Sequence, residues 1–443
     1  MSPAALFNEH IDQLSANYEK AILSTGLGCD AILIHSGSEA DYYADDQTIP
    51  FRAYGHFLHW LPVDRPEQMV LFVPGEKPFY FQIVPQDFWY EQTIAMDNWW
   101  ADSFQVQTFE HATAVKTLLT SKGRVAFLGE NTVFAHAVGL EPTLFNPPSL
   151  LHWLDYQRAY KTSYEVEQLK TANQLALTGH AAAQMAFEQG GDEYDIHQAF
   201  LLACNILETE SPYTNIVALN EKAAILHYQN KRHSAAASTG TNQVLLIDAG
   251  CRINNYCSDI TRTHTQAHTP KLFCSLVTAM EVLQGELIAQ IIVGRPYLDL
   301  HVAAHEGICE ILLQHNIVHG SYDELMSESI SSVFFPHGLG HLLGIQVHDV
   351  GGRQSNRHGD LLPPPAEYPA LRNTRTIEPG QVFTIEPGLY FIPNLLNKER
   401  GSVRGKLINW ELLEQLIPLG GIRIEDNVLV TVDGAQNLTR LPN

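Results

Sequence analysis

"VLLIDAGCRINNYCSDITRTH", Val244 to His264, reads as two apolar strands joined through Asn254 and Asn255, a pair suited to the centre of a tight hairpin turn. With that turn Ile253 faces Tyr256 and Gly250 faces Asp259. Asp248 lies two residues from Gly250 on the same strand, so it points to the face of Asp259, and the carboxylates become diagonal neighbours within about 8 Å. Asp248 closes the apolar run "VLLI", which predicts that it is at least half buried. Two buried carboxylates this close repel, and one keeps its proton unless a cation lies between them. A divalent ion, or a pair, resolves the conflict; a lone turn aspartate beside an exposed strand aspartate would leave the same letters.

Two more acids end or interrupt apolar strands: Glu386 in "VFTIEPG" and Glu425 in "GGIRIEDNVLV". The other "EPG", at Glu378, precedes its strand and reads as a plain turn. "PHGLGHLLGIQVHD", Pro336 to Asp349, adds His337, His341 and His348. The i, i+4 spacing of the first two resembles the zinc-protease HExxH helix, but "HGLGH" lacks the glutamate and carries two glycines that disfavour a helix. Glycines suit a segment passing close to a ligand. One histidine supplied to a carboxylate-rich cage makes an oxygen-dominated site, which suits Mn²⁺, Co²⁺ or Fe²⁺ better than a structural Zn²⁺.

The chain has 443 residues, too many for one ordinary core, so two domains are expected. A small α/β domain is predicted over residues 1–158, from a helix near 4–24 and the strand-like runs "AILIHSG", "MVLFVPG", "PFYFQI" and "RVAFLGEN". The proline-bearing stretch 141–161 marks the boundary, and Thr162 and Glu165 have capping-box spacing. Over 159–443, helices are predicted near 163–189, 194–207, 271–292 and 298–315, with strands at "TNIVAL", "AILHY", "IQVHDV" and through most of the final third.

The formal charge of −22 (27 basic against 49 acidic residues) argues against a nucleic-acid partner, since phosphate binding needs a basic face. No run of eighteen apolar residues and no signal-peptide pattern is seen, so the expectation is a cytoplasmic protein without a membrane partner. The six cysteines form no CxxC pair and read as reduced core thiols.

In order along the chain, Asp248, Asp259, His341, Glu386 and Glu425, within "IDAG…SDITRT", "PHGLGH", "TIEPGLY" and "RIEDN", resemble the dinuclear-metal peptidases of the creatinase, or pita-bread, family. "HSGSEADYYADDQTIPFR", the Lys161-Thr162 helix start and "SPYTNIVALNEKAAILHY" resemble its Xaa-Pro dipeptidase (prolidase) branch of bacterial PepQ type, to which organophosphorus acid anhydrolases are similar. Two departures, Ile49 where tyrosine is usual and Leu342 where proline is common, touch no ligand position.

The resemblance implies an α/β (α+β) chain: a small N-terminal domain for dimerisation and gating, followed by a pita-bread catalytic domain. It implies two divalent metals, most simply Mn²⁺, held by those five residues and bridged by a hydroxide that attacks Xaa-Pro dipeptides, with Glu386 also handling a proton. His348 and His227 would serve the transition state and substrate, Arg423 would orient Glu425 or a second histidine, and Arg372 would anchor the proline carboxylate. Tyr213 would line the pocket, His337 would support it without ligating, and Asp46, or the adjacent Asp45, would reach a partner subunit's pocket in a homodimer. The alternatives are organophosphorus ester hydrolysis, as main or side activity, and a pita-bread binding module that has lost its metals.

Overall fold

Apolar runs in the N-terminal part pair into a five-stranded mixed sheet: β1 (Ala31–His35), β2 (Met69–Phe72), β3 (Phe79–Ile83), β4 (Gln105–Phe109) and β5 (Val125–Leu128), ordered β4-β3-β2-β1-β5. The computed structural model describes residues 2–92, 99–233 and 242–440. Strand β4 escapes the sequence reading because it lies at the sheet edge, mostly unburied, with Gln105, Gln107 and Thr108 instead of an apolar run. The opening helix, Pro3–Thr25, is capped by Ser2 and stops at Gly26, whose φ of 64° only glycine adopts without strain.

The compact units are Met1–Gln168 with Asn356–Leu361, and Leu169–Ser355 with Leu362–Asn443, so the division falls ten residues beyond the expected 158/159. The capping box explains the shift. Thr162 N–H donates to Glu165 Oε2 at 2.9 Å, Glu165 N–H donates to Thr162 Oγ1 at 3.3 Å, and the Glu165 carboxylate lies 3.3 Å from His59 Nε2. The first turn of the helix Ser163–Glu188 is thereby tied to the N-terminal unit. The excursion 356–361 joins that unit through Arg357, whose guanidinium lies over the Trp153 ring.

In the second unit, β6 (Ile216–Leu219), β7 (Val244–Asp248) and β10 (Thr261–Thr265) form one sheet in the order β10-β7-β6, and β8 (Arg252–Ile253) and β9 (Tyr256–Cys257) close the hairpin. Asn254 and Asn255 have φ of 46° and 73°, as a type I′ turn requires. The register set by Ile253↔Tyr256 continues to Asp248↔Thr261, so Asp259 is diagonal to Asp248. Further on, β11 (Val382–Ile385), β14 (Asp426–Thr431) and β15 (Gly434–Asn437) form a second sheet, and β12 (Gly388–Tyr390) pairs with β13 (Gly421–Arg423). An isolated bridge between Thr261 and Glu425 joins the two regions.

Three segments correct the sequence reading. "AILHY" is not a strand: a 3₁₀ turn over Asn220–Ala224 leads into a tight turn that leaves His227 exposed. "IQVHDV" is a bent loop, because Asp349 N–H returns to the Leu342 carbonyl at 2.9 Å. The final third also contains short helices, Pro393–Glu399, Val403–Lys406 and Trp410–Leu416, the last two capped by Ser402 and Asn409 but too short to show a helical period. The helix Lys271–Ala289 is, among the described residues, the one long and apolar enough to cross a membrane; it buries Phe273, Leu276, Met280, Leu283 and Leu287 and packs on the helix Tyr297–Gln314 and on β11, β13 and β15.

Candidate metal centre

Strand pairing brings the carboxylates together. Asp248 ends β7, Asp259 lies just before β10, and Glu425 precedes β14, its N–H donating to the Thr261 carbonyl at 3.0 Å. Glu386 follows β11. The "PHGLGH" segment runs antiparallel beside β11, with Thr384 N–H donating to His341 O at 3.0 Å and Glu386 N–H to Leu339 O at 2.9 Å. Gly340 permits this approach: a Cβ there would lie 2.1 Å from the Thr384 carbonyl and 2.4 Å from the Tyr297 hydroxyl.

Asp248, Asp259, His341, Glu386 and Glu425 line one cavity of about 290 Å³, with His227, His337, His348, Arg372 and Arg423 on its walls. One ligand atom each from Asp259, His341 and Glu425 lie within 4.8 Å of one another. His341 Nδ1 donates to the Leu342 carbonyl at 3.0 Å, which aims Nε2 at Asp259 Oδ2 (3.3 Å) and Glu386 Oε1 (3.8 Å).

Supporting groups fix the carboxylates. Tyr213 hydroxyl sits 2.7 Å from Asp248 Oδ1 and 2.6 Å from Asp259 Oδ1, so it positions both of these cavity-lining acids. Arg423 Nη2 donates to Asp248 Oδ2 at 2.7 Å, Nη1 to the Tyr390 hydroxyl at 2.9 Å and Nε to Thr261 Oγ1 at 3.0 Å. Its hold on Glu425 is therefore indirect, through Thr261 Oγ1, which donates to Glu425 Oε2 at 2.7 Å. Its link to a histidine runs through Tyr390, 2.9 Å from His337 Nε2. His337 has its other nitrogen on the Gly338 carbonyl at 2.9 Å, so both ring nitrogens are engaged by protein, as suits a supporting residue. His348 stacks edge-on against His341, ring centroids 4.4 Å apart. Asp46 is exposed in the N-terminal unit, where its N–H donates to Asp45 Oδ1 at 2.8 Å.

Sequence reasoning missed Thr261 and Tyr390, yet each had a signal. Thr261 follows Asp259 by two and so shares its face; Tyr390 ends "TIEPGLY", between Gly388 and Gly421, where a Cβ on either would lie 2.4 Å from its ring.

The electrostatics test whether cations fit. Burial, then Asp259, pushes Asp248 up to about 6; burial pushes Glu386 up to about 7 and Glu425 well above the carboxylate range. Asp259 is lowered despite burial, because His341 bonds to it, and His341 is raised in return. Four acids face one guanidinium and one basic imidazole, an excess of negative charge that divalent cations would neutralise. Oxygen donors with a single imidazole form a set suited to such ions.

Residues 167–432 match metallopeptidase family M24, and the chain belongs to that family. Residues 5–156 match the N-terminal domain of Xaa-Pro dipeptidases. The chain is similar to the Xaa-Pro dipeptidase of Pseudoalteromonas atlantica, 42% identical over 441 residues (99% of this chain, 98% of the relative). It is also similar to that of Shewanella woodyi, 41% identical over 436 residues (98% and 97%). Among solved structures, Pseudomonas aeruginosa aminopeptidase PepP aligns with TM-score 0.72 at 23% identity, covering 96% of this chain and 94% of the other. Escherichia coli aminopeptidase P with the inhibitor Pro-Leu aligns with TM-score 0.73 at 21% identity, with the same coverage. These likenesses carry the fold: an N-terminal α/β domain followed by a pita-bread domain, as the sequence predicts.

Proposed function

We propose that this chain hydrolyses Xaa-Pro dipeptides with two divalent ions, Mn²⁺ by the character of the donors, held by Asp248, Asp259, His341, Glu386 and Glu425. The observation that carries the reading is a cavity lined by four carboxylates, two buried and two partly buried, and by the exposed Arg372, which has no carboxylate partner among the described residues. The names of the relatives support the substrate class over phosphotriesters. A metal-free module would have no use for carboxylates held at this cost.

When bound, the ions supply Lewis acidity and lower the pKa of water to near neutral. The chain's own groups do the rest. The Arg372 guanidinium takes the proline carboxylate and so sets the scissile bond in the cavity. His348, held neutral at pH 7 because burial and His341 lower it to about 4, donates an N–H to the carbonyl oxygen as charge develops there. His227, exposed and lining the same cavity, contacts the substrate. Glu386 accepts a proton from the attacking water on a carboxylate oxygen and delivers it to the proline nitrogen. Arg423 and Tyr213 keep Asp248 in place throughout.

A homodimer built through the N-terminal unit, with Asp46 meeting the substrate amine in a partner's cavity, agrees with the exposure of Asp46. A cytoplasmic location agrees with six free cysteines, five of them buried. The test is Leu-Pro hydrolysis by chelated protein before and after adding Mn²⁺, with Leu-Pro-amide as the paired substrate. Activity restored by Mn²⁺ and confined to the free dipeptide is the expected result, and Glu386→Ala should abolish it. Silence on both substrates despite bound metal would overturn the substrate reading and direct the assay to phosphotriesters.

A further inference from the structure

A second cavity, about 270 Å³, shares His341, His348 and Arg372 with the first and carries Arg353 on its wall. The segments bearing the two arginines lie side by side. Thr374 N–H donates to the Gly352 carbonyl at 2.9 Å, and a Cβ on Gly352 would lie 2.8 Å from the Arg372 carbonyl oxygen, so glycine lets the two backbones touch. Arg353 Nη2 donates to the Leu371 carbonyl at 2.9 Å, which draws its guanidinium to the residue preceding Arg372. That single bond leaves most of the guanidinium fork available. Neither arginine has a carboxylate partner among the described residues, although Asp349, whose Oδ1 accepts from Val350 N–H at 3.1 Å, lines the same cavity. Both arginines are exposed and line this one cavity, and an anion placed against two guanidinium groups gains charge-assisted hydrogen bonds from each.

We propose that Arg353 is a specificity-determining residue: with Arg372 it forms a two-arginine subsite for a leaving residue that bears a second carboxylate. The inference rests on the reading of Arg372 as the proline-carboxylate anchor. Arg372 holds the main-chain carboxylate at the boundary of the two cavities, and the second cavity gives room for an acidic substituent that Arg353 meets.

The experiment compares competitive inhibition of Leu-Pro hydrolysis by proline and by pyrrolidine-2,4-dicarboxylate, using the Mn²⁺-loaded enzyme. The dicarboxylate is expected to bind about tenfold more tightly, the worth of one added charge-assisted contact. Arg353→Met should bring the ratio of the two inhibition constants near one, and Arg353→Lys should keep part of it. A ratio near one in the unaltered protein, or a ratio that survives in Arg353→Met with an unchanged melting temperature, overturns the proposal. So does a preference for Leu-Pro-Gly over Leu-Pro that disappears in Arg353→Met, since the cavity would then hold a following residue. Arg372→Met separates the parent reading: it should raise KM for Leu-Pro and weaken both inhibitors. If it does neither, the anchor is wrong, whatever Arg353 does.

Discussion

Two buried clusters of acids and histidines, one in each unit, meet the same distance requirement for holding a metal ion, yet they differ in how much negative charge they gather. In the N-terminal unit His10, His59 and Glu165 place ligand atoms within 4.8 Å of one another, as Asp259, His341 and Glu425 do in the other unit. There, one carboxylate faces two imidazoles, and protein atoms already engage it. His10 Nε2 lies 2.8 Å from the His59 carbonyl, its Nδ1 lies 3.0 Å from Thr162 Oγ1, and Glu165 accepts from the Thr162 N–H. Although burial alone would raise Glu165, His59 and His10 hold it well below the ordinary carboxylate range. In the C-terminal cluster, by contrast, Asp248, Glu386 and Glu425 are all raised. Ligand letters and spacing do not separate a structural cluster from a cation site; uncompensated negative charge does.

Substitutions can break that contrast. Asp259→Asn should strip bound metal and lower kcat/KM by about 10³-fold or more, whereas Glu165→Gln should keep the full metal content by elemental analysis. Loss of metal from Glu165→Gln would end the distinction. Next in size, Glu165→Ala leaves the Thr162 N–H and His59 Nε2 without their acceptor and should cost about 1–3 kcal/mol in urea unfolding at pH 7, with the m-value unchanged. A further effect, absent at pH 7, is on acid stability. His59 is lowered by burial from 6.5 to about 4, so the unfolded chain takes up the proton first. Its contribution is complete above about pH 6.5 and is lost as pH falls toward 4, by about 1.4 kcal/mol per pH unit. His59→Phe should flatten that slope relative to the unaltered protein, and an equal slope in both would show that His59 titrates normally.

Local pattern made much of this legible. The Asn254-Asn255 turn and a two-residue period were enough to put Asp248 and Asp259 on one face, and the observed register agrees. The same period could have located Thr261. Short elements escaped for a physical reason: the helices Val403–Lys406 and Trp410–Leu416 complete two turns at most, so their caps outweigh any periodicity. "IQVHDV" misled because alternation predicts a strand only where a partner is in reach, and the Asp349 N–H finds Leu342 within its own loop.

By itself the sequence determined the ligand residue types, their order, the hairpin face shared by two of them and the family to which the whole chain belongs, because these depend on neighbours a few residues apart and on motif identity. Tertiary structure alone decided that Tyr213 braces two aspartates, that Arg423 reaches Asp248 and Tyr390 while touching Glu425 only through Thr261, and that Arg353 lies on the cavity shared with Arg372. Those contacts join segments up to 175 residues apart, and no local period encodes which long side chain meets which partner across such a separation.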